Sequence, residues 1–143
     1  MTWHEELTKQ GYRISGPRRR IMELLSDTRT PLTPALIHKH LALEGKPLSL
    51  ASVYRALDLL AELNLLCQVY FSDGTLGYMA HTGGHHHHVL CRRCNRSMEF
   101  GGHEDLDDLT TRVQAETGYV ISEHLLQFYG LCPSCAALRQ ELA

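Results

Sequence analysis

Two Cys-x-x-Cys pairs, Cys91 with Cys94 and Cys132 with Cys135, are separated by 37 intervening residues in a chain of 143. The two-residue gap lets both thiolates of a pair reach one ion from a tight turn, and two pairs complete a tetrahedral sulfur site. The long interval exceeds that of a compact zinc ribbon, so the site must join distant segments of a larger fold. A redox dithiol is the competing use of a single pair, and the presence of two pairs speaks against it. Four sulfurs leave no position for a substrate. The expected role is a structural zinc ion that holds a domain together.

A chain of this length suits one domain or two small ones, and halves of ~70 residues are marginal without a metal or a partner chain. No apolar run approaches the ~20 residues of a membrane span, and no signal-peptide pattern opens the sequence. Both point to the cytoplasm, with no membrane partner, where structural disulfides are rare and cysteines serve more often as ligands. The formal charge of -2 is unevenly placed, with Arg18, Arg19 and Arg20 in one run and Arg13 close by. One basic face is enough for nucleic acid, although charge alone does not establish it.

The first half is written in helical grammar. Ser15 before "GPRRRIMELL", Thr33 before "PALIHKHLAL" and Ser49 before "LASVYRALDLLAEL" are N-caps, two of them followed by proline in the first turn. In the third segment Val53, Leu57, Leu60 and Leu63 share a face, while Ser52, Arg55 and Asp58 point elsewhere. "LCQVYFSDGTLGYMA" then changes period to two β-rich runs around Ser72-Asp73-Gly74, a hairpin signal. Three helices and a hairpin is the order of a winged helix-turn-helix, and equally of a small helical domain that binds no DNA.

"HTGG" opens the second half as a hinge. The predicted elements beyond it are strands at "HHHHVLC" and "RSMEF", an acidic helix over 104–117, a β-rich run "YVISEHLLQFYGLC" and a last helix from Pro133. The expected division is a domain over 1–80, a hinge at 81–84 and a second domain over 85–143, an α+β chain overall.

The four consecutive histidines lie too far inside the chain for a tag. On a strand, His86 and His88 face one way and His85 and His87 the other, so the run can give a pair of imidazoles to each of two sites. Cys67, the cysteine left over from the two pairs, and His81 in the hinge complete a Cys-His-His-His set with His86 and His88. Asp107 and His124 are candidates to join His85 and His87. Taken singly, Cys67 reads equally as a small core residue and the histidines as a solvated tract.

In their order, "GPRRRIMELL", "SVYRALDLL", "HHHHVLCRRC", "MEF" and "EHLLQFYGLCPSC" resemble the ferric uptake regulator family of bacterial metal-dependent repressors, over nearly the whole chain. The resemblance implies an N-terminal winged helix-turn-helix domain and a C-terminal α/β dimerisation domain. It also implies a homodimer on a palindromic double-stranded operator, and neither enzyme activity nor a small-molecule substrate. Iron-responsive members typically carry a ligand histidine and a glutamate where this chain has Pro31 and Met79. Peroxide-sensing members carry an aspartate where it has Ala80.

Zinc-responsive members match better, with ligands at the places of Cys67, His81, His86 and His88, although cysteine and histidine here stand where aspartate and cysteine are common. The family's third site corresponds to His85, His87, Asp107 and His124. The resemblance further assigns Tyr54 to thymine methyl groups, Arg55 to a purine, Ser52 to the same reading helix, and Arg13 to the minor groove or phosphate. Arg18 and Arg19 correspond to phosphate contacts or to solvated helix charges. The sensed ion is read as Zn(2+), with Fe(2+), Mn(2+) or nickel as alternatives. A zinc hydrolase or a module without DNA binding is the reading from another class.

Overall fold

The computed structural model describes residues 2–81, 83–101 and 105–142. The chain divides into two compact units, Met1–Thr82 and Gly83–Ala143, so the division falls inside the stretch read as a hinge.

Unit 1 holds four helices, α1 (Trp3–Lys9), α2 (Gly16–Ser26), α3 (Pro34–Leu43) and α4 (Leu50–Glu62), then the antiparallel hairpin β1 (Leu66–Tyr70) and β2 (Leu76–Ala80). The side-chain oxygens of Ser15, Thr33 and Ser49 each accept the backbone N–H three residues on, satisfying donors that a helix start leaves open. Thr2 and Glu5 do the same reciprocally for α1. The α4 helix stops where Asn64 takes a left-handed conformation, φ 57°. At the hairpin tip Gly74 adopts φ 86° and the Thr75 N–H donates to the Asp73 carboxylate, which explains the Ser-Asp-Gly signal.

The apolar faces of the helices meet in one core. Ile21, Met22 and Leu25 of α2, Ile37 and Leu41 of α3, and Val53, Leu57 and Leu60 of α4 are buried together with Leu7 and Tyr78. An isolated bridge between Leu32 and Tyr78 ties the α2–α3 connection to the hairpin. The unit is the winged helix-turn-helix expected, and the chain is α+β.

Unit 2 contains a three-stranded sheet in the order β4-β3-β5, with β3 (His86–Cys91) central. β4 (Ser97–Gly101) runs antiparallel to β3. β5 (Gln127–Gly130) runs parallel to it after a crossover containing helix α5 (Asp105–Thr117). Helix α6 (Pro133–Leu142) follows.

The strand expected from Tyr119 onward is shorter than its alternation suggested, because only 127–130 find a ladder partner on β3. Residues 119–126 take no regular structure and leave Tyr119, Val120 and Leu125 exposed. Apolar burial is correspondingly thin. Leu90, Cys91 and Cys135 are the hydrophobic residues of unit 2 that are buried among the described ones. Such a unit needs a staple and a cover.

Candidate metal centres

The staple is visible in unit 2. The Sγ atoms of Cys91, Cys94, Cys132 and Cys135 all lie within 4.8 Å of one another. Cys94 Sγ and Cys132 Sγ are 3.7 Å apart. A disulfide needs about 2.05 Å, whereas ligands at zinc–sulfur distances of ~2.3 Å on a tetrahedron stand about 3.8 Å apart. The residues present therefore fit a single tetrahedral ion.

Local folding sets this geometry. The first pair sits in a turn closed by Asn95 N–H donating to Cys91 O, with Asn95 at φ 62°, and by Cys91 N–H donating to Arg96 O. The second pair straddles the start of α6. Cys132 precedes Pro133, and the Cys135 N–H points at Cys132 Sγ at 3.5 Å, as at a helix N-cap.

These contacts separate the thiols chemically. Burial pushes the Cys91 thiol up, yet backbone N–H groups of Cys132, Cys94 and Arg93, with the Cys94 thiol, outweigh it and hold Cys91 at about 6. The Cys135 N–H and thiol lower Cys132. The neighbouring Cys132 sulfur, then burial, push Cys135 up to about 12. Packed sulfurs cannot all ionise alone, and a divalent cation removes that conflict.

The histidine run divides as its period requires. His85, just before β3, and His87 are joined by His124, with all three rings offering a nitrogen within 4.8 Å. His85 Nε2 and His124 Nε2 are 3.1 Å apart. Asp107 lies exposed on α5 and is not one of that group. His88 is buried on the opposite face, its Nδ1 3.2 Å from Ser97 Oγ, and its cross-strand partner is Glu99. Glu99 is a candidate ligand that the sequence reading missed. The β3–β4 register that places it there depends on the turn between the pairs, and spacing alone does not reveal it. His86 contacts the Gly83 carbonyl.

In unit 1, Cys67 of β1 and His81 beyond β2 come together, Cys67 Sγ lying 3.0 Å from His81 Nδ1. Pro31 is fully buried, and a Cβ built on Gly77 would meet its Cβ at 2.8 Å.

Helix α4 presents Tyr54 and Arg55 to solvent. Ser52, Arg55, Ser15 and Arg18 line a shallow cleft of about 260 Å³ between the starts of α2 and α4. Arg55 donates to Ser52 Oγ (3.2 Å). Arg18 is engaged internally: its guanidinium donates to the Arg13 carbonyl (2.6 Å) and lies over the Tyr12 ring, 5.7 Å from the centroid. Arg13 and Arg19 are exposed.

The model of the ferric uptake regulator family matches residues 9–129. The chain belongs to that family. Its members are metal-responsive transcription regulators and not enzymes, which removes the hydrolase alternative. A ferric uptake regulation protein of Neisseria meningitidis is 30% identical over 133 residues, 92% of either chain. A peroxide operon regulator of Bacillus subtilis is 31% identical over 134 residues, 92% of this chain and 90% of its own. A zinc uptake regulator solved with zinc and DNA shares the fold, with a TM-score of 0.80 at 19% identity over 96% of this chain and 92% of that one. No helix among the described residues is long and apolar enough to cross a membrane.

Proposed function

We propose that this ferric uptake regulator family member is a zinc-responsive repressor that binds palindromic operators of metal-uptake genes as a homodimer. The observation that carries the reading is the 3.0 Å approach of Cys67 Sγ to His81 Nδ1. A thiolate beside an imidazole suits zinc, whereas manganese favours oxygen. The buried Pro31 and the side chains of Met79 and Ala80 leave the iron and peroxide ligand places without donors of those types.

In this reading Cys67, His81, His86 and His88 are the ligands of the sensor ion. Ser97, 3.2 Å from His88 Nδ1, orients that imidazole. With the ion bound, the dimer presents two copies of α4 at one spacing, as a palindrome requires. A coupling of ~1–3 kcal/mol changes operator affinity roughly 5- to 150-fold.

Ser52, Tyr54 and Arg55 read bases, and Arg13 and Arg19 supply groove or phosphate contacts. Arg18 contributes indirectly by holding the Arg13 backbone. Zinc also fills the four-cysteine site. His85, His87 and His124 form an auxiliary zinc site, with Asp107 as a more distant candidate. The second copy covers the exposed apolar residues of unit 2, among them Tyr119, Val120, Leu125 and Phe128.

One observation favours a second reading. Glu99 opposite His88 offers a hard oxygen, which suits iron or manganese. Operator selected from random DNA, titrated with each ion under metal buffering, separates them. Zinc activating at far lower free concentration supports the first reading; iron or manganese doing so in its own buffered range supports the second.

A further inference from the structure

We propose that the wing hairpin carries, within unit 1 alone, a three-donor site for monovalent copper, made of Cys67, Met79 and His81. The proposal rests on the reading of Cys67 and His81 as ligands, and adds Met79 and a second ion. In the β1–β2 register Met79 is the direct partner of Cys67. The ladder continues past Ala80, because the His81 N–H donates to Leu65 O at 2.9 Å. Met79 and His81, two residues apart on an extended segment, therefore share one face with Cys67. Directly opposed side chains start roughly 4.5–5.5 Å apart at Cβ, within reach of a flexible thioether.

Met79 is not explained as core. Its neighbours Leu76 and Ala80 pack against the buried cluster of unit 1, and Met79 is not among the residues that do. All three donors are half-buried, a setting in which a soft ion is shielded and still reachable. Thiolate and thioether together select copper(I), while a thioether adds little for zinc.

The consequence is regulatory. An ion satisfied by Cys67, Met79 and His81 takes two of the proposed zinc ligands without needing His86 or His88, so copper(I) competes with the sensor zinc. Copper(I) then opposes zinc activation.

The test uses the full chain with its four-cysteine site filled by zinc, under anaerobic conditions. Copper(I) is titrated against a chromophoric copper(I) chelator while released zinc, methyl-¹³C methionine spectra and operator binding are followed. The expected result is one copper(I) per protomer without release of structural zinc, a shift of the Met79 methyl signal and inhibition of zinc-activated operator binding. Met79→Leu should weaken copper(I) at least ten-fold and move the inhibition by the same factor. Unchanged copper affinity in Met79→Leu overturns the proposal, as does a Met79 methyl signal unmoved in wild type or copper entering only as structural zinc leaves. Failure of the zinc reading is separate: Cys67→Ser would then keep zinc-activated operator binding, whatever copper does.

Discussion

The sulfur atoms of Cys94 and Cys132, which belong to segments 38 residues apart, stand 3.7 Å from each other at the edge of a four-sulfur cluster. Among the described residues few apolar side chains of unit 2 are buried, so this cluster substitutes for a core. Structural zinc contributes on the order of 10–16 kcal/mol in small zinc domains, as much as a whole domain's net stability of about 5–15 kcal/mol. Cys132→Ser should therefore lose one zinc per protomer, unfold unit 2 and abolish the dimer. Unit 1, with its own core, should keep its helical circular dichroism. A variant that stays dimeric with full zinc content would refute this.

Filling the four-cysteine site must release protons. At pH 7 Cys91, held at about 6, is already largely thiolate, while Cys135, pushed to about 12, is a thiol. Zinc binding should release at least one proton at that pH and tighten as pH rises, since thiolates are the ligands. Calorimetry in buffers of different ionisation enthalpy measures the number; zinc binding with no proton release would contradict the site.

Arg18 bonds to the Arg13 carbonyl and covers Tyr12, so its effect on DNA should pass through the shape of the 10–15 loop. Arg18→Lys keeps the charge and loses this geometry. About ten-fold weaker operator binding is expected, with an unchanged salt slope, and with no further loss when Arg13 is already alanine. Arg19→Ala, by contrast, should flatten the slope by about 0.9 if it meets one phosphate. A flattened slope for Arg18→Lys would make Arg18 a phosphate ligand instead.

Gly77 is closed in by Phe71 and Pro31, each 2.8 Å from where a Cβ would stand. One of these is Pro31, itself buried on the α2–α3 connection, which cannot yield cheaply. Gly77→Ala should cost about 1–3 kcal/mol, read as a lower thermal midpoint with the wing displaced. An unchanged midpoint would show that the wing relaxes freely.

Much of this was legible because it is local. The caps at Ser15, Thr33 and Ser49, the Asp73-Gly74 turn and the alternation of the histidines each depend on a few adjacent residues. The four-cysteine site was legible for the chemical reason that paired thiols have few other uses. Non-local partners were not. Glu99 faces His88 only through a register set by the intervening turn, and Arg18 reaches a carbonyl where its type suggested a phosphate. Tyr119 to Leu126 alternate like a strand, yet a ladder needs a partner, and within one chain only 127–130 have it. Asp107 was placed with His85, His87 and His124 by resemblance, whereas the structure gathers the three imidazoles without it.

In the proposed function Cys67 senses the ion that controls DNA binding. Its most direct test is operator affinity against buffered free zinc for wild type, Cys67→Ser and His124→Ala, each confirmed as a folded dimer. Cys67→Ser should lose the zinc response, while His124→Ala keeps most of it. A Cys67→Ser protein that still switches on at the wild-type zinc concentration would contradict the account and return Cys67 to the role of a small half-buried residue in the wing.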